Sequence, residues 1–297
     1  GKPLSPAQIE LLQQWVRQGA GWQQHWSFIV PTAPELPRVQ DGKWARNAID
    51  TFVMARLESE GLRPNPEADS VSLQRRVTLD LTGLPPTVDE VDAFLADKRS
   101  DAYERLVDRL MDSQHYGERV GQNWLDLARY ADTSGYHFDG VRFMWLWRDW
   151  VIDAFNRDLP FDQFTVEQLA GDLLPEATRE QRIGTGFHRN SLKNDEAGAD
   201  LELDRVKNAV DRTATTGSVW LGLTVGCAEC HTHKYDPISI REFYQLYAFF
   251  NRTAERDIPA PRPDELDDYE RKLAAWEKEH ERLEAPIRDF VASLAAG

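Results

Sequence analysis

The chain contains two cysteines, three positions apart, with a histidine directly after the second: residues 227–231 read CAECH. One pair this close cannot staple distant parts of a small domain, so a fold of 297 residues must be held by burial instead. The means are present, with 41% hydrophobic residues and ten tryptophans, which is not the composition of a disordered chain. Because both cysteines sit in one motif, the chemistry concentrates there.

In CxxCH, two intervening residues separate the thiols enough to reach both vinyl groups of a haem, and the adjacent imidazole falls under the iron. The reading is therefore one covalent haem c, with Cys227 and Cys230 as thioether links and His231 as the proximal iron ligand. Three others compete. A thioredoxin-like CxxC belongs in a βαβ context, and no strand signal accompanies this one. A zinc site from Cys227, Cys230, His231 and His233 would need a ligand spacing tighter than zinc pairs prefer. The third is coincidence. Trp220, Leu221, Leu223, Tyr235, Tyr244 and Phe249 flank the motif and suit the walls of a macrocycle site, although ordinary core would use the same residue types.

Helix signals recur along the chain. Ser5 with Gln8, Thr87 with Glu90 and Ser239 with Glu242 form capping boxes, the first followed by Pro6 at the opening helical position. Apolar residues at helical spacing predict helices over 4–20, 45–60, 73–81, 88–95, 102–111, 119–131, 145–156, 161–173, 179–187, 201–223 and 240–250. Gly/Pro-marked loops fall at 31–37, 132–142 and 190–200. Near the C-terminus, Leu266, Leu273, His280, Ile287 and Leu294 recur every seven residues, with Tyr269, Trp276, Leu283 and Phe290 between them. This a/d seam runs for about four heptads, with a kink or break expected at Pro286. Such a seam over 264–295 calls for a partner helix, unless it is a stripe packed on its own domain.

The expected fold class is mainly α: an irregular multi-helix domain enclosing one covalent haem, with a C-terminal heptad-patterned helix. The expected divisions are 1–22, 23–43 as linker, 44–255 as the haem-binding domain and 256–297 as a coiled-coil-like helix.

Several blocks carry a resemblance. "LTGLPPT", "YGERVGQNWLDLARYADTSGY", "RDWVIDAFNRDLPFDQFTVEQLAGDLLP", "GFHRN" and "GCAECHTHKYDPISIREFYQLYAFFN" occur in order over about 44–252. Together they resemble the planctomycete-type cytochrome family built on domain of unknown function 1549. The segment "LSPAQIELLQQWVRQGA" is similar to the last helix of a class I cytochrome c domain. The resemblance implies a haem protein, part of a larger exported multidomain protein, and leaves its reaction open.

The sixth iron ligand decides the role. Two histidines on opposite faces of one iron need Cα atoms roughly 12 Å apart, whereas two residues span at most about 7 Å. His233 therefore cannot be the distal ligand to the haem of His231. It remains a candidate for holding a propionate or orienting a neighbour. His188, in GFHRN, ranks first among distal candidates and His137 second, ahead of His115, His25, His280 and Met144. Each can equally be a structural or surface side chain. Arg189 suits a propionate carboxylate.

A six-coordinate iron makes this an electron-transfer domain working with a redox partner or a neighbouring cytochrome domain. An open distal face makes it an oxidoreductase on a small molecule such as a carbohydrate or peroxide, and a structural or binding module stabilised by haem is the third reading. Asn194, Asp195, Glu196, Asp200, Glu202 and Asp204 form an acidic cluster near Arg205 and Arg212. Its spacing matches no EF-hand, so ion pairing is favoured over Ca²⁺.

The net charge of −15 and the lack of a basic cluster exclude a typical nucleic-acid face. No apolar run reaches the ~20 residues of a membrane helix. No signal-peptide pattern opens the sequence, as expected if one has been removed. Haem is attached to CxxCH outside the cytoplasm, so a periplasmic or otherwise exported location is expected. No P-loop, HExxH or GxSxG occurs.

Overall fold

The computed structural model describes residues 3–137, 139–194, 198–258 and 263–295. Twelve α-helices and no strand occur among them, with one isolated antiparallel bridge between Thr133 and Val141. The chain divides into two compact units, residues 1–68 and 69–297.

The first unit holds α1 (Pro6–Arg17), a 3-10 turn at Trp26–Phe28 and α2 (Ala48–Ser59). α1 starts where the sequence predicts, with the Ser5–Gln8 capping box closed. Its apolar residues Ile9, Leu12, Trp15 and Val16 are all exposed. Glu58 of α2 accepts the backbone N–H groups of Gln40 and Asp41, at 2.8 and 3.1 Å, which fixes the preceding loop.

The second unit holds α3 (Ser70–Thr82), α4 (Val88–Ala96), α5 (Ala102–Met111), α6 (Gln114–Ala128), α7 (Trp145–Asn156), α8 (Phe161–Ala170), α9 (Arg179–Gly184), α10 (Leu201–Leu221), α11 (Ile240–Phe250) and α12 (Pro263–Ala295). The predicted boundaries of α5, α7 and α11 match, and three others differ for local reasons. α6 stops at Ala128 because Arg129 turns left-handed (φ 62°), its guanidinium held by Asp211 of α10. After α8 the chain tightens into a 3-10 turn at Gly171–Leu173, where a Cβ on Gly171 would lie 2.2 Å from the Gln181 carbonyl oxygen. α9 likewise gives way to a 3-10 turn at Thr185–Arg189. Its own capping box, Thr178 with Gln181, went unread in the sequence.

Of the kink or break expected at Pro286, the break does not occur: α12 continues through that residue over a length of 33 residues. Proline removes the N–H that Arg282 would bond, and on an exposed helix solvent can take over that carbonyl.

The main core gathers around α7. Trp147, Trp150, Val151 and Ala154 are buried with Ala128, Met144, Phe164 and Phe187. Phe164 stacks on Trp150 at 5.5 Å and meets Trp124 edge-on at 4.9 Å, and Phe187 meets Trp220 edge-on at 4.7 Å. Two rings also find polar partners. Trp124 Nε1 donates to Gln168 Oε1 and Trp220 Nε1 to Thr165 Oγ1. Such pairing lets a large aromatic be buried without stranding its N–H.

α6 and α7 meet across a glycine. Gly117 N–H donates to Asn156 Oδ1 at 2.7 Å, and Asn156 Nδ2 donates back to the Gln114 carbonyl. A Cβ at 117 would lie 2.4 Å from the Ile152 carbonyl oxygen. Alanine here gains helix propensity, about 1 kcal/mol, but its neighbour is backbone and cannot step aside. Gly117→Ala should therefore destabilise by about 1–3 kcal/mol, read as a lower urea midpoint. Gly42→Ala, which meets nothing within 4 Å, should leave that midpoint in place.

Candidate functional site

α10 ends at Leu221 because Gly222 adopts a left-handed conformation (φ 63°). The chain then folds back on the helix that it has just left. Leu223 N–H donates to the Gly217 carbonyl at 3.3 Å, and Cys227 N–H to the Thr224 carbonyl at 3.0 Å. The result is a 3-10 turn at Val225–Glu229. A Cβ on Gly217 would lie 2.3 Å from Val225 Cγ2, and one on Gly226 3.2 Å from Ala214 Cβ. The turn lies this close to α10 only because both positions are glycine.

Val225 and Ala228 are buried with Phe243 of α11 in a second, smaller core. Tyr244 O–H donates to the Glu229 carbonyl at 3.2 Å, tying the same turn to α11. With those side chains inward, Cys227, Cys230 and His231 are all exposed, and the two thiols are not joined to each other.

The two histidines of the motif region are in opposite states. His231 Nδ1 lies 2.8 Å from the Thr232 carbonyl oxygen. A carbonyl can only accept, so Nδ1 carries the proton and Nε2 keeps its lone pair, the tautomer a metal-ligating imidazole needs. His233 is buried. Its Nδ1 accepts from the backbone N–H groups of Asp236 (2.8 Å) and Tyr235 (3.3 Å), so its proton is on Nε2, which faces Thr224 Oγ1 at 3.0 Å. His233 N–H also donates to the Ile238 carbonyl. Both its nitrogens are spent on closing the loop between the motif and α11, a role the sequence did not signal.

The four side chains weighed as a zinc set do not converge, and among the described residues no group of three or more His, Cys, Asp or Glu side chains is arranged to hold a metal ion. The donor set does suit a haem. Two free, exposed thiols, separated by two residues in the chain, are followed by an imidazole whose Nδ1 is committed to a carbonyl. Of the residues that flank the motif in sequence, Leu221 (62% exposed), Tyr235 (82%), Tyr244 (47%) and Phe249 (78%) offer exposed apolar surface. Trp220 and Leu223, also expected there, are instead packed into the two cores.

His188 lies in the 3-10 turn after α9. Its ring packs against Phe187 and against Phe250 of α11, at 5.4 and 5.0 Å. Both ring nitrogens are buried and make no hydrogen bond of normal geometry. Burial, and then the positive charge of Arg212, push its pKa down to about 4 against a smaller opposing pull from the backbone of Leu169, so at neutral pH the ring is neutral.

The other predicted residues are dispersed. His137 lies exposed in the loop 132–142. Met144 is buried at the start of α7. His115 pairs with Glu118, and His25 bonds Ser27. Arg189 faces Glu255 at 3.4 Å and Asp257 at 3.1 Å. It belongs to a cluster in which Arg142 and Arg212 also converge on Glu255, at 3.6 and 2.7 Å. Arg212 further donates to the His188 carbonyl. Of the acidic cluster, Asp195 and Glu196 lie outside the described residues, Asp200 caps α10, and Glu202 pairs with Arg205 at 2.7 Å.

Fold and site together define a helical protein that presents a free CxxCH motif on a turn clamped between two helices. A family model matches residues 48–255, more than two thirds of the chain, and the chain belongs to that family, described as PSCyt2, a protein of unknown function (DUF1549). No curated protein and no solved structure matches it. No helix among the described residues is long and apolar enough to cross a membrane.

The His188 environment has a consequence for stability. Below pH 6.5 the unfolded chain binds a proton that folded His188 refuses until about pH 4. Stability should therefore fall as pH drops through that window. In urea titrations at pH 7 and pH 4.5, the wild type should lose more stability than His188→Leu; equal losses would remove His188 as the cause.

Proposed function

We propose that the chain is a c-type cytochrome domain that transfers electrons within an exported multidomain protein. Cys227 and Cys230 are the thiols that hold the haem, and His231 presents Nε2 to its iron. The single observation carrying this reading is the state of CAECH: two exposed, unlinked thiols and an imidazole whose Nδ1 is already committed to a carbonyl. Bound there, the haem supplies a one-electron iron couple.

The protein's part is to hold that donor set still. Val225 and Ala228 anchor the turn from below, and His233 locks the loop that follows His231. Leu221, Tyr235, Tyr244 and Phe249 offer the apolar surface that shields a macrocycle edge from water. His188 is the proposed second axial ligand. What supports it is a buried, neutral imidazole whose ring nitrogens make no hydrogen bond of normal geometry, since a poorly satisfied buried polar atom costs about 1–3 kcal/mol. His137 is the reserve candidate. An acidic net charge of −15 suits a basic redox partner.

Covalent attachment has a direct test. Haem should stay with the polypeptide in acidified acetone and be lost from the Cys227→Ser/Cys230→Ser variant; haem extracted from the intact chain would refute attachment. The reduced protein should show a six-coordinate, low-spin optical spectrum, and His188→Ala should turn it high-spin. An unchanged spectrum would remove His188 as ligand. A five-coordinate, CO-binding wild type would replace the carrier reading with an oxidoreductase acting at an open iron face.

A further inference from the structure

α12 carries a second surface, independent of the haem reading. Leu266, Tyr269, Leu273, Trp276, Leu283 and Ile287 of its seam are all exposed. The side chains of Phe290 and Leu294, which would extend it, lie outside the described residues. A seven-residue repeat does not stay on one face of a straight 3.6-residue helix. It drifts by about 20° per heptad and winds left-handed. A flat globular surface cannot follow that path over several heptads, whereas another helix can.

The charges beside the seam say which helix. With Leu266 and Leu273 at a positions, Glu270, Glu277 and Glu284 occupy every e position from the first heptad to the third. Lys272 and Glu279 occupy the g positions between them. Glu270 and Glu277 are exposed and have no ion-pair partner among the described residues, while Glu284 faces His280 at 3.2 Å and Arg288 at 4.0 Å. In an antiparallel pair of two copies, e faces e, and every such contact would set glutamate against glutamate. In a parallel pair, g faces the next e of the partner. Lys272 would then meet Glu277, but Glu265 would meet Glu270 and Glu279 would meet Glu284, so repulsion outweighs attraction. Self-pairing is therefore not selected in either direction.

A helix with lysine or arginine beside its own apolar seam satisfies the whole acidic column. His280, stacked on Trp276 at 4.6 Å with an interplanar angle of 13°, puts one polar group into an a position. That fixes register against a partner able to meet it. We propose that α12 docks a separate amphipathic helix with an apolar heptad seam and basic flanks, and not a second copy of this chain.

The test uses the full chain and two labelled synthetic helices of equal length with the same leucine seam. One carries lysine at e and g, the other glutamate. The basic helix should bind at least roughly tenfold tighter at low salt, and the gap should shrink at high salt, where exposed charges are screened. Glu270→Lys/Glu277→Lys should reverse the preference. Trp276→Ser, at an exposed position that leaves folding alone, should weaken the basic helix without changing the circular dichroism spectrum. Four results would each overturn the proposal. The two helices bind equally, neither binds, a basic peptide with serine in its seam binds as well, or the chain alone sediments as a dimer that Trp276→Ser disperses.

Discussion

Val225 against the bare backbone of Gly217 is the contact on which the site rests. It places the 3-10 turn directly on α10. From there Ala228 can reach Phe243 of α11, and a small core closes between the two helices. The turn has two sorts of residue, and burial sorts them. Val225 and Ala228 go inward because they are apolar, and the residues of CxxCH between and after them are left outside. A β-carbon at 217 would push the turn off the helix and blur that division. His233 then completes the constraint from the other end. Its side-chain bonds to Thr224, Tyr235 and Asp236 add to the backbone bond from His233 N–H to the Ile238 carbonyl and to the cap of α11 in closing the loop after His231.

The main core and the site share α10, and His188 stands between that helix and α11. Its backbone carbonyl accepts from Arg212 of α10, and its ring touches Phe250 at the end of α11. Tyr244, which ties the motif turn to α11, is six residues earlier, about 9 Å along a helix. The neighbourhood is also short of hydrogen bonds. Asn190 Oδ1 and Ser191 Oγ are buried without partners, as are both nitrogens of His188. Burying a polar atom unpaired is costly.

Much of the fold was readable from the sequence because its signals were local. A capping box needs only four residues, and the apolar face of α5 or α7 only a dozen, so those elements were placed from the sequence. CAECH was legible for the same reason. What could not be read is what depends on distant residues meeting. Arg129 ending α6 requires Asp211, more than eighty positions later. Glu255 collecting Arg142, Arg189 and Arg212 leaves no pattern in the sequence, and Arg189 read only as a propionate candidate. The closing role of His233 depended on a loop geometry that no spacing rule describes. At Pro286 the local rule allows a kink or a break, and which follows depends on the surroundings: on an exposed helix solvent can take the freed carbonyl, and α12 continues.

The placement of charge connects the two surfaces. Arg212 is buried and Arg142 and Arg189 half-buried, all drawn in toward Glu255, while Arg129 and Arg205 are tied to Asp211 and to Glu202 and Asn251. Cations committed in this way are poorly placed to offset carboxylates elsewhere. The outward field is therefore set more by unpaired acids, Glu270 and Glu277 in the e column of α12 among them. A redox partner approaching the motif and a helix approaching α12 would both meet a negative chain. Long-range attraction brings any basic protein near. What separates the two encounters is the contact beneath the charge: exposed thiols and an imidazole on a rigid turn in one case, and a heptad seam in the other.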